Sequence, residues 1–109
     1  MVDESIRESI RQYMQNLIVE GIPVRYGVIF GSYARGTADE WSDIDLLVVS
    51  LRFDQERDRD DIDLLWCVAA RTDTRIEPIA VGERQFKEDD SSAIIEIARR
   101  EGQIVHLAA

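Results

Sequence analysis

Cysteine and histidine each occur once in this chain of 109 residues, as Cys67 and His106. A single cysteine closes no intramolecular disulfide and builds no cysteine-based zinc site, so the expected environment is a reducing cytoplasm. Proline occurs twice. No apolar run approaches the roughly 20 residues that a membrane-spanning helix needs. The opening stretch, Met1-Val2-Asp3-Glu4-Ser5, is acidic and polar and lacks the pattern of a signal peptide. Positive charge is scarce too, with 13 Lys and Arg against 22 Asp and Glu and a net charge of -9. Such a field repels phosphate backbones, which excludes a general DNA- or RNA-binding module. A protein of this charge that handles phosphates needs a metal ion to carry the positive charge for it.

What is present is ordinary for a folded domain. Hydrophobic residues make up 45% of the chain and mean hydropathy is -0.22, so a core is available and disorder is not expected. No repeat, low-complexity tract or linker divides the sequence, and a single domain over residues 1–109 is the expectation. Ile6, Ile10, Met14, Leu17 and Ile18 recur at three- and four-residue spacing and predict a helix over residues 3–20, ended by Gly21 and Pro23. Residues 24–30 read as a strand, residues 31–36 as a turn or short helix, and the unbroken apolar run 44–49 as a strand covered on both faces. The charged residues 52–63 read as a solvated loop entering a helix that carries Ile62, Leu65, Trp66, Ala69 and Ala70. Cys67, on the same helix, is expected to pack. Residues 74–81 form a third strand, with Pro78 pointing to a sheet edge or strand end. Ser91 or Ser92 caps a helix bearing Ile94, Ile95, Ile97 and Ala98, which Gly102 ends. Residues 103–107 make a final strand, with His106 in a structural role. The fold class is α/β (α+β), a small mixed β-sheet of about four strands with helices packed on it.

The chemistry concentrates in Gly31-Ser32-Tyr33-Ala34-Arg35-Gly36 and in Ser42-Asp43-Ile44-Asp45. Gly31 follows a buried strand and lets the backbone turn with no Cβ in the way. Ser32 adds a hydroxyl among backbone N–H groups where a helix starts, a setting that attracts phosphate. Asp43 and Asp45 stand two apart on a strand, so they share one face with Cα atoms about 6.5 Å apart. Adjacent carboxylates raise each other's pKa unless a cation sits between them. Hard oxygen ligands beside phosphate favour Mg²⁺. Glu77 interrupts an apolar strand and is the third candidate, provided that its strand runs beside the first two. Asp61-Ile62-Asp63 repeats the spacing without the glycine–serine turn. It precedes a helix and is assigned no metal. Arg35 has two readings, a phosphate contact or an ion pair with Asp39 or Glu40. Tyr33 and Trp41 flank the stretch, either to touch a base or partner or as ordinary packing.

Gly31-Ser32, Ala34-Arg35-Gly36 and Ser42-Asp43-Ile44-Asp45 together resemble the DNA polymerase β-like nucleotidyltransferase superfamily, above all its minimal members, the small MNT proteins of bacteria and archaea. The resemblance covers nearly the whole chain. It implies a polymerase β-like core and a metal-dependent transfer of a nucleoside monophosphate from a triphosphate to a hydroxyl, with release of pyrophosphate. ATP would be the substrate and Mg²⁺, as two ions, the cofactor. On the matching positions Gly31 and Ser32 would hold the triphosphate, with Arg35 and Ser42 in the same nucleotide-binding stretch. Asp43 and Asp45 would bind both metals, and Glu77 would hold the metal beside the attacking hydroxyl, where many members have Asp. The resemblance further implies an antitoxin that transfers AMP to a tyrosine of a HEPN-domain toxin. An antitoxin acting by binding alone, or a small-molecule transferase with a helical partner subunit, are the alternatives.

Overall fold

The computed structural model describes residues 2–55 and 58–108. Helix α1 covers Glu4–Val19 and is capped by Asp3, whose carboxylate accepts the N–H of Ser5 at 3.0 Å. The stripe Ile6, Ile10, Met14 and Leu17 is buried, joined by Tyr13, while Ile18 stays 40% exposed. The chain continues through β1 (Tyr26–Phe30), the four-residue α2 (Ser32–Arg35), β2 (Ile44–Val49) and a 3-10 turn (Leu51–Asp54). It then forms α3 (Arg59–Thr72), β3 (Ile76–Val81), α4 (Glu83–Glu88), α5 (Ala93–Glu101) and β4 (Gln103–Val105).

The strands make one mixed four-stranded sheet in the order β3-β2-β1-β4. β1 is antiparallel to β2 and to β4, and β2 is parallel to β3. The sheet explains why residues 44–49 show no polar alternation. Ile44, Leu46 and Val48 belong to the core shared with α1 and α3, whereas Leu47 and Val49 pack with Phe86, Ile95 and Ala98 of α4 and α5. Asp45 is the one polar residue in that strand. Across the first layer the Tyr13 hydroxyl donates to the Leu65 carbonyl at 2.9 Å, and burial pushes its pKa well above the ordinary value.

Several expectations are corrected. Cys67 is exposed, and Trp66 is 48% exposed, because α3 buries only Asp61, Leu65, Val68 and Ala69. β1 begins at Tyr26, since the Val24 N–H turns back to the Ile22 carbonyl at 2.8 Å. The last strand ends at Val105, and His106 lies beyond it and is exposed. Residues 52–63 are not simply solvated. Phe53 is buried, and Asp61 is buried with its two oxygens taken by Arg52 at 2.8 and 2.9 Å. Helix α4 had no sequence signal, because only Phe86 of its six residues is buried. Its N-terminus is held from a distance by Asp54, which accepts the N–H groups of Arg84 and Gln85 at 2.9 and 3.1 Å. No helix among the described residues is long and apolar enough to cross a membrane.

Candidate active site

Three strand ends meet at one edge of the sheet. Asp45 of β2 is registered against Phe30, the last residue of β1, and against Glu77 of β3. Period-two alternation therefore sets Asp45 and Glu77 on the same face of neighbouring strands. Asp43, just ahead of β2, lies close enough to the Glu77 carboxyl to share a proton with it. The three carboxylates named from the sequence are neighbours.

Gly31 makes room for them. It turns the chain at φ 75°, and a Cβ there would collide with the Asp45 carboxylate. Two requirements thus fall on one residue, a left-handed backbone and empty space. Beyond it α2 is pinned by the Arg35 N–H to the Gly31 carbonyl and the Thr37 N–H to the Ser32 carbonyl, both at 3.0 Å. Ser32 opens this helix, next to the strand end that faces Asp45.

The return loop is ordered by Asp39 and Ser42. The Ser42 hydroxyl accepts the Asp39 N–H at 2.9 Å and donates to Asp39 Oδ1 at 3.2 Å, and the same oxygen takes the Trp41 N–H at 2.9 Å. Ser42 therefore shapes the approach to Asp43. Asp39 is committed to this loop, and Arg35 pairs instead with Glu101 at the end of α5, at 3.8 Å. Trp41 is 84% exposed, which sets aside the packing reading for it. Tyr33 is half-buried against the α1–α3 core.

The electrostatics match a site built for cations. Burial raises the Asp45 pKa and the charge of Asp43 raises it further, with Arg35 opposing. Glu77 is raised by burial, by the charge of Asp43 and its hydrogen bond, and by the charge of Asp45. Among the described residues the half-exposed Arg35 is the cation that opposes the shift at Asp45, and none opposes that at Glu77. A set of hard oxygen donors whose charges repel one another fits a divalent metal. Among the described residues no three such side chains already stand at metal-binding spacing. A concavity of about 930 Å³ opens at the opposite end of β2, around Pro23, Leu51 and Arg52, and contains none of these groups.

Sequence reasoning missed Asp73 and Arg75. The Arg75 guanidinium binds both oxygens of Asp73, Nε to Oδ1 at 3.0 Å and Nη2 to Oδ2 at 2.7 Å. The available signal was an arginine two residues ahead of Glu77.

The profile of the family described as "Nucleotidyltransferase domain" matches residues 8–105. A candidate protein adenylyltransferase of Methanocaldococcus jannaschii, MJ1305, is 43% identical over 62 residues, which are 54% of this chain and 42% of that protein. The chain thus spans less than half the length of this relative. A candidate nucleotidyltransferase from Sulfolobus solfataricus superposes with a TM-score of 0.62 at 18% identity, covering 90% of this chain and 77% of the other. A toxin–antitoxin structure with AMP-PNP superposes with a TM-score of 0.59 at 20% identity, covering 87% and 71%. These two likenesses show the fold.

Proposed function

Because this chain belongs to the nucleotidyltransferase domain family, we propose that it transfers AMP from ATP to a hydroxyl, and that the acceptor is a tyrosine of a HEPN-domain toxin. The observation that carries this reading is the meeting of Asp43, Asp45 and Glu77 beside the Gly31–Ser32 turn. The adenylyltransferase name of the archaeal relative and the toxin–antitoxin neighbour support the choice of donor and partner.

Asp43, Asp45 and Glu77 would hold Mg²⁺, which when bound neutralises phosphate charge and lowers the pKa of an attacking hydroxyl. Gly31 and Ser32 would seat the triphosphate with backbone and hydroxyl donors and Arg35 would complete that side, while Ser42, its hydroxyl spent on Asp39, holds the loop that borders it. Arg35 exchanges its long contact with Glu101 for a phosphate oxygen. In the transfer, the acceptor oxygen bonds to the α-phosphorus as the bond from that phosphorus to the pyrophosphate bridging oxygen breaks. Pyrophosphate leaves with the electron pair. The hydroxyl proton passes to water, a loss made easier by the lowered pKa that a metal held by Glu77 would give the hydroxyl. Most of the rate comes from positioning and charge neutralisation, which a small domain can supply.

The test is mass spectrometry of a co-expressed toxin partner. AMP on tyrosine is expected with the wild type, and Glu77→Gln should reduce transfer at least about a hundredfold while ATP still binds. The net charge of -9 favours a second reading, docking on a basic toxin surface without chemistry. A tight, inactive complex with unmodified toxin would establish that reading and overturn transfer.

A further inference from the structure

Arg75 stands outside the carboxylate set, yet it leads into β3, bonds the start of β2 and lies near α2. Its backbone carbonyl accepts the N–H of Ile44, the residue between Asp43 and Asp45, at 2.7 Å. Its own N–H goes to Asp73 Oδ1 at 3.0 Å, so backbone and side chain are both tied to the same carboxylate. Two residues on, β3 presents Glu77 to Asp45. On the other side the Tyr33 phenol is near enough to the Arg75 guanidinium to add to the rise in its pKa. Tyr33 follows Ser32 in α2 and is wedged against the α1–α3 core. One planar cation therefore bridges the short helix after Gly31 and the strand ends that carry the carboxylates.

We propose that Arg75 is a positioning residue, which fixes α2 and Ser32 relative to Asp43, Asp45 and Glu77 through its fork on Asp73 and its contact with Tyr33. The proposal rests on the nucleotide-binding reading of α2. A helix of four residues has too few internal hydrogen bonds to hold its own orientation. A bidentate Arg–carboxylate fork supplies direction as well as charge, and lysine does not reproduce it. Asp73 keeps the fork charged on both sides. Its hydrogen bonds from Arg75 hold its pKa below the ordinary range, and the pairing raises that of Arg75.

The experiment measures two quantities in Arg75→Gln, Arg75→Lys, Tyr33→Phe and the double variant Arg75→Gln/Tyr33→Phe. The first is the dissociation constant of Mg·ATP by calorimetry. The second is amide hydrogen exchange over residues 32–36 and 42–45 in the ligand-free protein. Arg75→Gln should weaken Mg·ATP at least about tenfold and speed exchange in both segments. Arg75→Lys should fail to restore either. Tyr33→Phe should act in the same direction more weakly, and the double variant should be no worse than Arg75→Gln, because both substitutions break one link. A lowered Tm with Mg·ATP affinity and exchange unchanged would overturn the proposal and leave Arg75 with a purely structural role. Additive effects in the double variant would overturn the link through Tyr33. If Arg75→Gln does not fold, Tyr33→Phe, which removes a single hydroxyl, decides alone. If the wild type binds no Mg·ATP, the nucleotide reading fails by itself. Faster exchange then still supports positioning, and unchanged exchange overturns it.

Discussion

Asp43-Ile44-Asp45 and Asp61-Ile62-Asp63 have the same spelling and opposite fates. The first leads into a strand, where residues two apart share a face, and its carboxylates gather with Glu77. The second lies in α3, where residues two apart diverge around the axis. There Asp61 is buried and neutralised by Arg52, while Asp63 is exposed. A pair of aspartates becomes a site only when the local period aims both at one place and the fold withholds a cation.

Removing charge from the two pairs should give contrasting results. Asp45→Asn is expected to lower AMP transfer at least about a hundredfold, the scale of a lost metal ligand or acid–base group. The variant should melt no lower than the wild type in calorimetry without metal, since it relieves repulsion. A fold that collapses without Asp45 would erase the contrast. Arg52→Ala should do the reverse. It strands the Asp61 charge and should lower the denaturant midpoint, with transfer kept within a few-fold at temperatures where the protein is folded.

Acid should separate function from fold. Asp45 and Glu77 have raised pKa values, so they take up protons as pH falls to a point above the ordinary carboxylate range of about 3.9–4.3. The folded state gains from that protonation, because the repulsion disappears, but Mg·ATP binding should be lost. Asp73 has a lowered pKa, so its contribution is complete above about 3.9 and is lost only as pH falls through the lowered value. Mg·ATP affinity should therefore decline before the circular dichroism changes; a simultaneous loss would contradict the assignment. The smallest effect belongs to Asp63→Asn. Stability should stay within about 0.5 kcal/mol and transfer within a few-fold, as at an exposed position; a loss like that of Asp45→Asn would mean the second pair belongs to the site.

Much of this was legible in the sequence because it depended on local periodicity. The α1 stripe, the doubly covered β2 and the cap at Ser92, whose hydroxyl accepts the Ile95 N–H at 3.3 Å, follow from residue spacing. The placement of Asp43 beside Asp45 needed only the strand period, but Glu77 needed the parallel pairing of β2 with β3, which spacing allowed without requiring. Helix α4 and the Arg52–Asp61 and Arg75–Tyr33 contacts stayed hidden because they join residues by tertiary packing. Cys67 misled for a related reason. Its apolar neighbours in sequence do not share its face of α3.

Pro78 bears on how any other protein can approach. Ile44 and Ser50 donate to the carbonyls of Arg75 and Val81, so the odd-numbered residues of β3 bond inward and the even-numbered ones turn their amides to the outer rim. On that rim the Ile76 N–H is already spent on the Asp73 carbonyl at 3.1 Å, and Pro78 has no N–H. Ala80 remains as the outward amide. A strand arriving from another chain would find almost no ladder to extend beside the carboxylates. Recognition along the β3 edge therefore falls to side chains, and the same residue disfavours self-association through that edge.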